Sequence, residues 1–149
     1  MVDRAASGER VERFDPAALR ARRKALGMSL DALAELVATN RQALVAYEQG
    51  RRRPGITVLV ALAQALGLDP LDLTTATVET ATLAELRARV GLTKTELAQR
   101  LGLARSTWDL IERGTRTLQP GVGDQVAELL GVSRADVDAA HHRGTHTQG

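Results

Sequence analysis

Apolar residues recur at intervals of three and four along most of the chain, which is the spacing of amphipathic helices. In the first half, Leu30, Leu33, Ala34 and Val37 form one such face, and Ser29 stands at the position of a helix cap. Glycines and Asp-Pro pairs mark further helix ends and starts. The pattern predicts about five short helices in each half of the chain, and therefore an all-α fold.

The predicted helices of the first half cover about 16–26, 29–37, 41–49 and 57–66, with a last short helix starting at Asp69 and Pro70. The second half contains three predicted capping boxes, in which a hydroxyl side chain is followed three residues later by an acidic one. They are Thr82 with Glu85, Thr93 with Glu96, and Ser133 with Asp136.

The two halves are copies of one unit. An ungapped shift of 64 residues aligns Leu19–Leu73 with Leu83–Val137, and fourteen of the 55 positions are identical. About five identities would be expected by chance in a chain this rich in Ala, Leu, Arg and Gly. Other positions keep their chemical character, as where Leu44 aligns with Trp108. The chain therefore contains an internal repeat.

The repeat sets the predicted domain organisation. We expect domain 1 at 14–73 and domain 2 at 83–140, joined by the polar, Thr-rich linker 74–82. Fully extended, this linker would span at most about 30 Å. The N-terminal arm 1–13 and the C-terminal tail 141–149 are predicted to be disordered.

Two short helices joined by a tight turn form a helix-turn-helix motif. The segments "SLDALAELVATNRQALVAYEQGRRRP" and "TKTELAQRLGLARSTWDLIERGTRTL" resemble the Cro/C1-type helix-turn-helix family, also called the XRE family. A Leu-Ala pair, the turn and a Glu-x-Gly ending recur at the same offsets, although the turn has Ala38 in the first copy and Gly102 in the second. The resemblance implies two tandem, five-helix, lambda-repressor-like domains that bind double-stranded DNA.

The third helix of each copy is the predicted recognition helix, whose N-terminal residues approach base edges in the major groove. The candidate base contacts in copy 1 are Asn40, Arg41, Gln42, Val45 and Ala46. Those in copy 2 are Arg105, Ser106, Thr107 and Asp109. Arginine suits the two acceptors of guanine, glutamine suits adenine, and an aspartate can accept a hydrogen bond from N4 of cytosine.

Candidate phosphate contacts surround these helices. Arg51, Arg52 and Arg53 follow the third helix of copy 1, and Arg113 and Arg116 follow that of copy 2. The family resemblance implies further contacts where each second helix begins. These are Ser29 and Leu30 in copy 1, and Thr93 and Lys94 in copy 2.

Other repeated residues have predicted structural roles. The family resemblance implies that an arginine on the first helix pairs with the glutamate that closes the third, which gives Arg23 with Glu48 and Arg87 with Glu112. Trp108 could stack on a base, but its alignment with the inward Leu44 favours a place in the core.

Composition narrows the function classes without choosing among them. The net charge is only +2, so bulk charge does not establish a nucleic-acid partner. The absence of cysteine excludes disulfides and thiolate metal sites. His141, His142 and His146 lie in the predicted tail, where we expect no fixed metal site. Without a signal peptide, a membrane helix, a cofactor motif or a nucleophile–base pair, we expect a cytoplasmic protein that is not an enzyme.

The leading hypothesis is a bacterial or phage-type transcriptional regulator in which both copies bind DNA. Copy 2 has no net charge over 83–140, whereas copy 1 has +2 over 14–73. Copy 2 could therefore be a dimerisation or protein-interaction module beside a DNA-binding copy 1, with Asp109 and Leu110 facing the partner. A pure protein–protein adaptor is the third reading. The family resemblance also allows a homodimer, and we expect no small-molecule sensor domain.

Overall fold

A computed structural model describes the backbone of residues 9–147 and the side chains of 9–145. Within that range the chain forms nine α-helices, one short 3₁₀ helix and no β-strand, so the predicted all-α fold is confirmed. The chain divides into two compact units between Thr75 and Ala76. We call them domain 1 and domain 2.

Domain 1 keeps the predicted order of helices, with bounds that differ by one or two residues. Its last helix is a short 3₁₀ helix of four residues, which is the usual length of this type of helix. The helices are α1 (Pro16–Ala25), α2 (Leu30–Leu36), α3 (Arg41–Glu48), α4 (Ile56–Leu66) and the 3₁₀ helix (Pro70–Leu73).

The core of domain 1 is built from one face of each helix. Leu19, Leu33, Leu44 and Leu62 are completely buried, and each comes from a different α-helix. Removing a leucine side chain of this kind from water contributes roughly 1.5–3 kcal/mol. These buried leucines therefore fix the position of α3 within its domain.

Domain 2 repeats this arrangement around an aromatic core residue. Its helices are α5 (Leu83–Arg89), α6 (Lys94–Leu101), α7 (Arg105–Glu112), α8 (Pro120–Leu130) and α9 (Arg134–Thr147). Trp108 is fully buried, as its alignment with Leu44 predicted. The three predicted capping boxes are present as pairs of reciprocal hydrogen bonds. These local caps explain why the helix starts could be predicted from sequence.

The turn between the second and third helices has a left-handed residue in both domains. Gly102 has a φ of 71°, and Ala38 adopts 54° at the matching position of domain 1. An L-residue disfavours this region because its Cβ approaches the carbonyl oxygen that follows, whereas glycine has no such cost. The motif therefore keeps the same turn geometry in domain 1 despite the strain.

The predicted disorder of the N-terminal arm is wrong for the part that the structure describes. The Val11 N–H donates to the Pro54 carbonyl at 3.0 Å, and the Val11 side chain is buried. Arg10 forms an isolated antiparallel bridge with Gly55. One apolar side chain and backbone hydrogen bonds thus order a segment of polar composition. Residues 1–8 lie outside the described range.

The predicted disorder of the C-terminal tail is also wrong over residues 141–147. Helix α9 continues through Thr147, seven residues beyond the predicted end of domain 2. Residues 148 and 149, and the side chain of His146, lie outside the described part of the chain. The polar composition of this segment gave no indication of its contact with the loop that follows α7.

The predicted linker is packed at both ends. The Thr74 hydroxyl donates to the Leu71 carbonyl within domain 1, and the Thr75 N–H donates to the Arg13 carbonyl. On the other side, the Ala81 carbonyl accepts a hydrogen bond from Arg143 of domain 2. Thr74, Thr75 and Ala81, which the composition placed in the linker, are therefore held by hydrogen bonds within the domains.

Candidate nucleic-acid interface

Helix α3 presents its first turn to solvent because its opposite face is buried. Leu44 and Tyr47 point into the core, while Arg41 and Gln42 are exposed and Val45 and Ala46 are half-buried. The outward face is therefore the one predicted, with its long polar side chains at the N-terminal end. The side-chain oxygen of Asn40, another predicted base contact, caps this helix by accepting the Ala43 N–H at 2.8 Å.

The three arginines after α3 differ in how they are held. The Arg51 guanidinium donates to the Gln49 side chain at 2.7 Å. Arg52 lies over the ring of Tyr47, 5.7 Å from its centre, which is a cation–π contact. Arg53 is exposed. The loop thus carries three positive charges beside the exposed face of α3. Gln49 orients Arg51, and Tyr47 orients Arg52.

Helix α7 presents a matching first turn in domain 2. Arg105 and Ser106 are exposed, Thr107 is half-buried, and the next turn exposes Leu110 at 39% of its surface. Arg105 occupies the position of Arg41 in the repeat. The two helices therefore share an exposed arginine at the same place and differ at the residues that follow it.

Asp109 lies at the centre of an ionic cluster on the outward side of α7. The Lys94 ammonium, at the start of α6, donates to its Oδ1 at 2.6 Å. The Arg113 guanidinium lies 3.0 Å from its Oδ2. Both carboxylate oxygens thus have a cationic partner within the domain. The sequence predicted an anion that could accept a hydrogen bond from cytosine, and the structure shows that both of its oxygens are already paired.

The cluster perturbs the acid–base behaviour of Asp109. The hydrogen bond from Lys94 lowers the pKa of this carboxyl, burial opposes the effect, and the charges of Lys94, Arg113 and Arg105 lower the pKa further. A carboxylate whose folded pKa is depressed stabilises the fold above its unfolded pKa, near 3.9, and this contribution is lost as the pH falls through the folded value.

We expect domain 2 to lose stability between about pH 5 and the folded pKa of Asp109, with part of that loss removed by Asp109→Asn. Trp108 is the single tryptophan of the chain and is buried in domain 2, so its fluorescence reports this domain. Urea midpoints measured at a series of acidic pH values would show the effect. Equal pH dependence in the wild type and the variant would contradict it.

The starts of the second helices carry the predicted hydroxyl residues as caps. The Ser29 hydroxyl accepts the Ala32 N–H at 3.0 Å, and the Thr93 hydroxyl accepts the Glu96 N–H at 3.1 Å. Leu30 packs its side chain against the core of domain 1, which leaves its backbone N–H as its polar group. Lys94 is already bonded to Asp109.

Both predicted arginine–glutamate pairs are present. The Nε of Arg23 donates to Glu48 at 2.6 Å, and Arg87 makes the same bond to Glu112 at 2.6 Å. A second bond of 3.0 Å completes each fork. The Trp108 ring N–H adds a third bond to Glu112, at 2.7 Å. These pairs tie the first helix to the end of the third in each domain.

The loop after α7 is covered by the last turns of α9, which sequence reasoning missed. The His141 ring nitrogen lies 3.0 Å from the Arg116 carbonyl oxygen. A Cβ built on Gly114 would come within 2.6 Å of the Thr145 Cα, and one on Gly144 would lie 3.0 Å from the Glu112 carbonyl oxygen. The two glycines therefore allow backbone to approach backbone. Two glycines within these polar stretches were the available sequence signal.

The described part of the chain contains no helix long and apolar enough to cross a membrane. Among the same residues, no group of three or more His, Asp or Glu side chains is arranged to hold a metal ion.

Residues 19–73 match the "Helix-turn-helix" family, and residues 80–140 match a second family described as "Helix-turn-helix domain". An uncharacterized HTH-type transcriptional regulator of Methanothermobacter thermautotrophicus is 37% identical over 54 residues, which make up 36% of this chain and 78% of the relative. No solved structure gave a significant match. The chain therefore belongs to the Cro/C1-type helix-turn-helix transcriptional regulators and carries two copies of their DNA-binding domain in tandem.

Proposed function

We propose that both domains bind double-stranded DNA, with α3 and α7 as recognition helices in the major groove. The observation that carries this proposal is the matching first turn of the two helices. Each exposes an arginine, Arg41 or Arg105, and a polar neighbour, while the opposite face packs in the core. A recognition helix contacts bases from its N-terminal turn, so these side chains are where base contacts would form.

In domain 1, Arg41 and Gln42 contact base edges. Arginine binds guanine O6 and N7 as a bidentate donor, and glutamine pairs with adenine N6 and N7. Val45 and Ala46 are half-buried and offer only small apolar surfaces, which suit a thymine methyl group. The side-chain oxygen of Asn40 is used in capping α3, so its amide nitrogen is the group that can donate a hydrogen bond to DNA. Arg51, Arg52 and Arg53 bind phosphates and supply sequence-independent affinity.

In domain 2, Arg105 and Ser106 contact base edges, and Thr107 lies beside them. Leu110 follows one turn later on the exposed face and can pack on a thymine methyl group. Arg116 supplies the phosphate contact of this domain, whereas the other predicted contact, Arg113, is paired with Asp109. Domain 2 has fewer exposed cations around its recognition helix than domain 1, so we propose that it contributes less sequence-independent affinity.

The starts of α2 and α6 add backbone contacts to phosphates. Ser29 and Thr93 cap these helices by accepting the N–H groups of Ala32 and Glu96. The positive end of each helix dipole lies at the cap, and the Leu30 N–H lies in the first turn of α2. Such contacts position a protein on the duplex and carry no sequence information by themselves.

The DNA site would be asymmetric, because the exposed residues after Arg41 and Arg105 differ. One chain with two DNA-binding domains gains avidity from the tether without any further contact. A homodimer stays a prediction from the family resemblance. The reading in which domain 2 is solely an interaction module is not favoured, since this domain matches a helix-turn-helix family and keeps its arginine exposed.

Selection of tight binders from a random duplex pool tests the proposal. We expect a motif of two different parts. The double variant Arg41→Ala/Gln42→Ala should blur one part, and Arg105→Ala/Ser106→Ala should blur the other. Each double variant should weaken binding to the selected site by about tenfold or more, since a good base contact discriminates by about 1–3 kcal/mol.

Ala substitution of Gln125, an exposed residue on α8, should leave binding unchanged. A single short motif that only the Arg41 variant disturbs would mean that domain 2 does not contact bases. Affinity that falls with salt but returns no motif would contradict base recognition by both domains.

A further inference from the structure

The positions of Lys94 and Asp109 carry no charge in domain 1, whose ion pair between α2 and α3 is the exposed one of Asp31 with Arg41. The repeat aligns Lys94 with Leu30 and Asp109 with Val45. Both residues of domain 1 are apolar and half-buried. An ion pair therefore occupies, in domain 2, two positions that the same fold fills with aliphatic side chains in domain 1. The fold does not require charges at this place, which points to another role for them.

The cluster lies along one stripe of the proposed recognition helix. Arg105, Asp109 and Arg113 follow each other at intervals of four residues, so they lie on the same side of α7. Lys94 joins them from the start of α6. Three cations thus surround one carboxylate on the side of the domain where DNA would bind.

The bonds hold Lys94 firmly and Arg113, whose side chain is 58% exposed, less firmly. The Lys94 and Asp109 side chains are only 23% and 17% exposed, and the charge-assisted bond between them is 2.6 Å long. A partly desolvated bond of this kind is stronger than an exposed surface ion pair. Lys94 would have to leave Asp109 to neutralise a phosphate, and the Asp109 charge also opposes the approach of any phosphate to Arg113.

We infer that Asp109 is a specificity-determining positioning residue. It holds Lys94 and Arg113 away from phosphates and so lowers the sequence-independent affinity of domain 2. Binding by this domain then depends on the base contacts of Arg105, Ser106 and Leu110. The inference rests on the proposed function, because it concerns which contacts α7 makes with DNA, and it replaces direct cytosine recognition by Asp109.

The test is a gain of binding in Asp109→Asn. The amide keeps the size of the carboxylate and releases both cations. Each phosphate newly neutralised steepens the dependence of log affinity on log salt by about 0.9. We expect a slope steeper by about one to two. We also expect about three- to tenfold tighter binding to a scrambled duplex at low salt, and a smaller ratio of selected-site to scrambled-site affinity.

Asp124→Asn is the matched control. It removes the same charge from domain 2, but Asp124 lies on α8 and pairs with Arg134 at 2.9 Å. A slope that steepens equally in this control would mean that net charge alone is responsible, and would overturn the inference. The double variant Lys94→Leu/Asp109→Val reproduces the residues of domain 1. It should show a smaller increase in slope than Asp109→Asn, because Arg113 is then the only cation released.

The remaining outcomes separate this inference from the proposed function. If Asp109→Asn loses its preference at one base pair while the salt slope is unchanged, Asp109 contacts a base and the inference is wrong. An unchanged slope with unchanged preference also overturns it. If Trp108 fluorescence shows that Asp109→Asn unfolds domain 2, the double variant Lys94→Leu/Asp109→Val becomes the test. A salt slope of this double variant no steeper than that of the wild type would then overturn the inference. Absence of duplex binding by the wild type would instead contradict the proposed function.

Discussion

Replacing Glu112 with glutamine is expected to lower the free energy of unfolding of domain 2 by about 3–5 kcal/mol. The Arg87 and Glu112 side chains are 2% and 6% exposed, and the two bonds between them measure 2.6 and 3.0 Å. A neutral amide leaves the buried guanidinium without its counter-charge. The loss is therefore that of a stranded charge and greatly exceeds the effect of an exposed ion pair.

Trp108 makes the effect larger in domain 2 than in domain 1. Its ring N–H donates to Glu112, whereas the matching position of domain 1 is Leu44, which has no donor. Glu48→Gln is the matched variant, because Glu48 makes the same forked pair with Arg23. We expect Glu112→Gln to cost about 1 kcal/mol more than Glu48→Gln, which is the net contribution of one hydrogen bond.

Urea unfolding followed by two signals measures both variants. Trp108 fluorescence reports domain 2, and far-ultraviolet circular dichroism reports the helices of both domains. Glu112→Gln should shift the fluorescence midpoint strongly to lower urea. Glu48→Gln should leave the fluorescence midpoint unchanged, and the dichroism should begin to fall at a lower urea concentration because domain 1 unfolds first. A fluorescence midpoint unchanged by Glu112→Gln would show that the pair does not stabilise the domain.

The features that sequence predicted well are those with a local or repeated signal. A hydroxyl followed three residues later by an acid is a pattern within one helical turn, so the caps at Thr82 and Thr93 could be placed from sequence. The long-range pairs of Arg23 with Glu48 and Arg87 with Glu112 were predicted because the repeat and the family resemblance supplied their separation.

The features that sequence missed depend on tertiary contacts between chemically ordinary residues. Lys94 and Asp109 are 15 residues apart, and nothing in either helix shows that their side chains meet. The polar ends of the chain were predicted to be disordered because Val11 stands among charged and polar residues and the tail is rich in His, Thr and Gly. Backbone contacts order both segments, and such contacts leave little trace in side-chain composition.

Gly114→Ala is expected to destabilise domain 2 by about 2–4 kcal/mol and to displace the end of α9. Gly114 has a φ of +80°, which costs an L-residue about 1–2 kcal/mol. Its Cβ would also fall within 2.6 Å of the Thr145 Cα, a distance that the two backbones can accommodate only by moving apart. The bond between His141 and the Arg116 carbonyl lies in the same contact and should weaken with it.

Gly50→Ala separates the two causes. Gly50 is the matching residue of domain 1, with a φ of +73°, and the nearest atom to its added Cβ is the Pro16 Cγ at 3.7 Å. This control carries the backbone strain without the clash. The excess loss in Gly114→Ala therefore measures the packing of α9 against the loop that follows the recognition helix.

Tryptic cleavage after Arg143 provides a local measurement. This side chain donates to the Ala81 carbonyl at 2.8 Å within the helical end of α9, so the site is protected while the helix is packed. Gly114→Ala should speed cleavage there severalfold, and Gly50→Ala should not. Equal destabilisation and equal cleavage in the two variants would show that α9 does not pack on Gly114 in solution. A faster cut in Gly114→Ala alone would establish that the segment predicted to be a disordered tail supports the loop that follows α7.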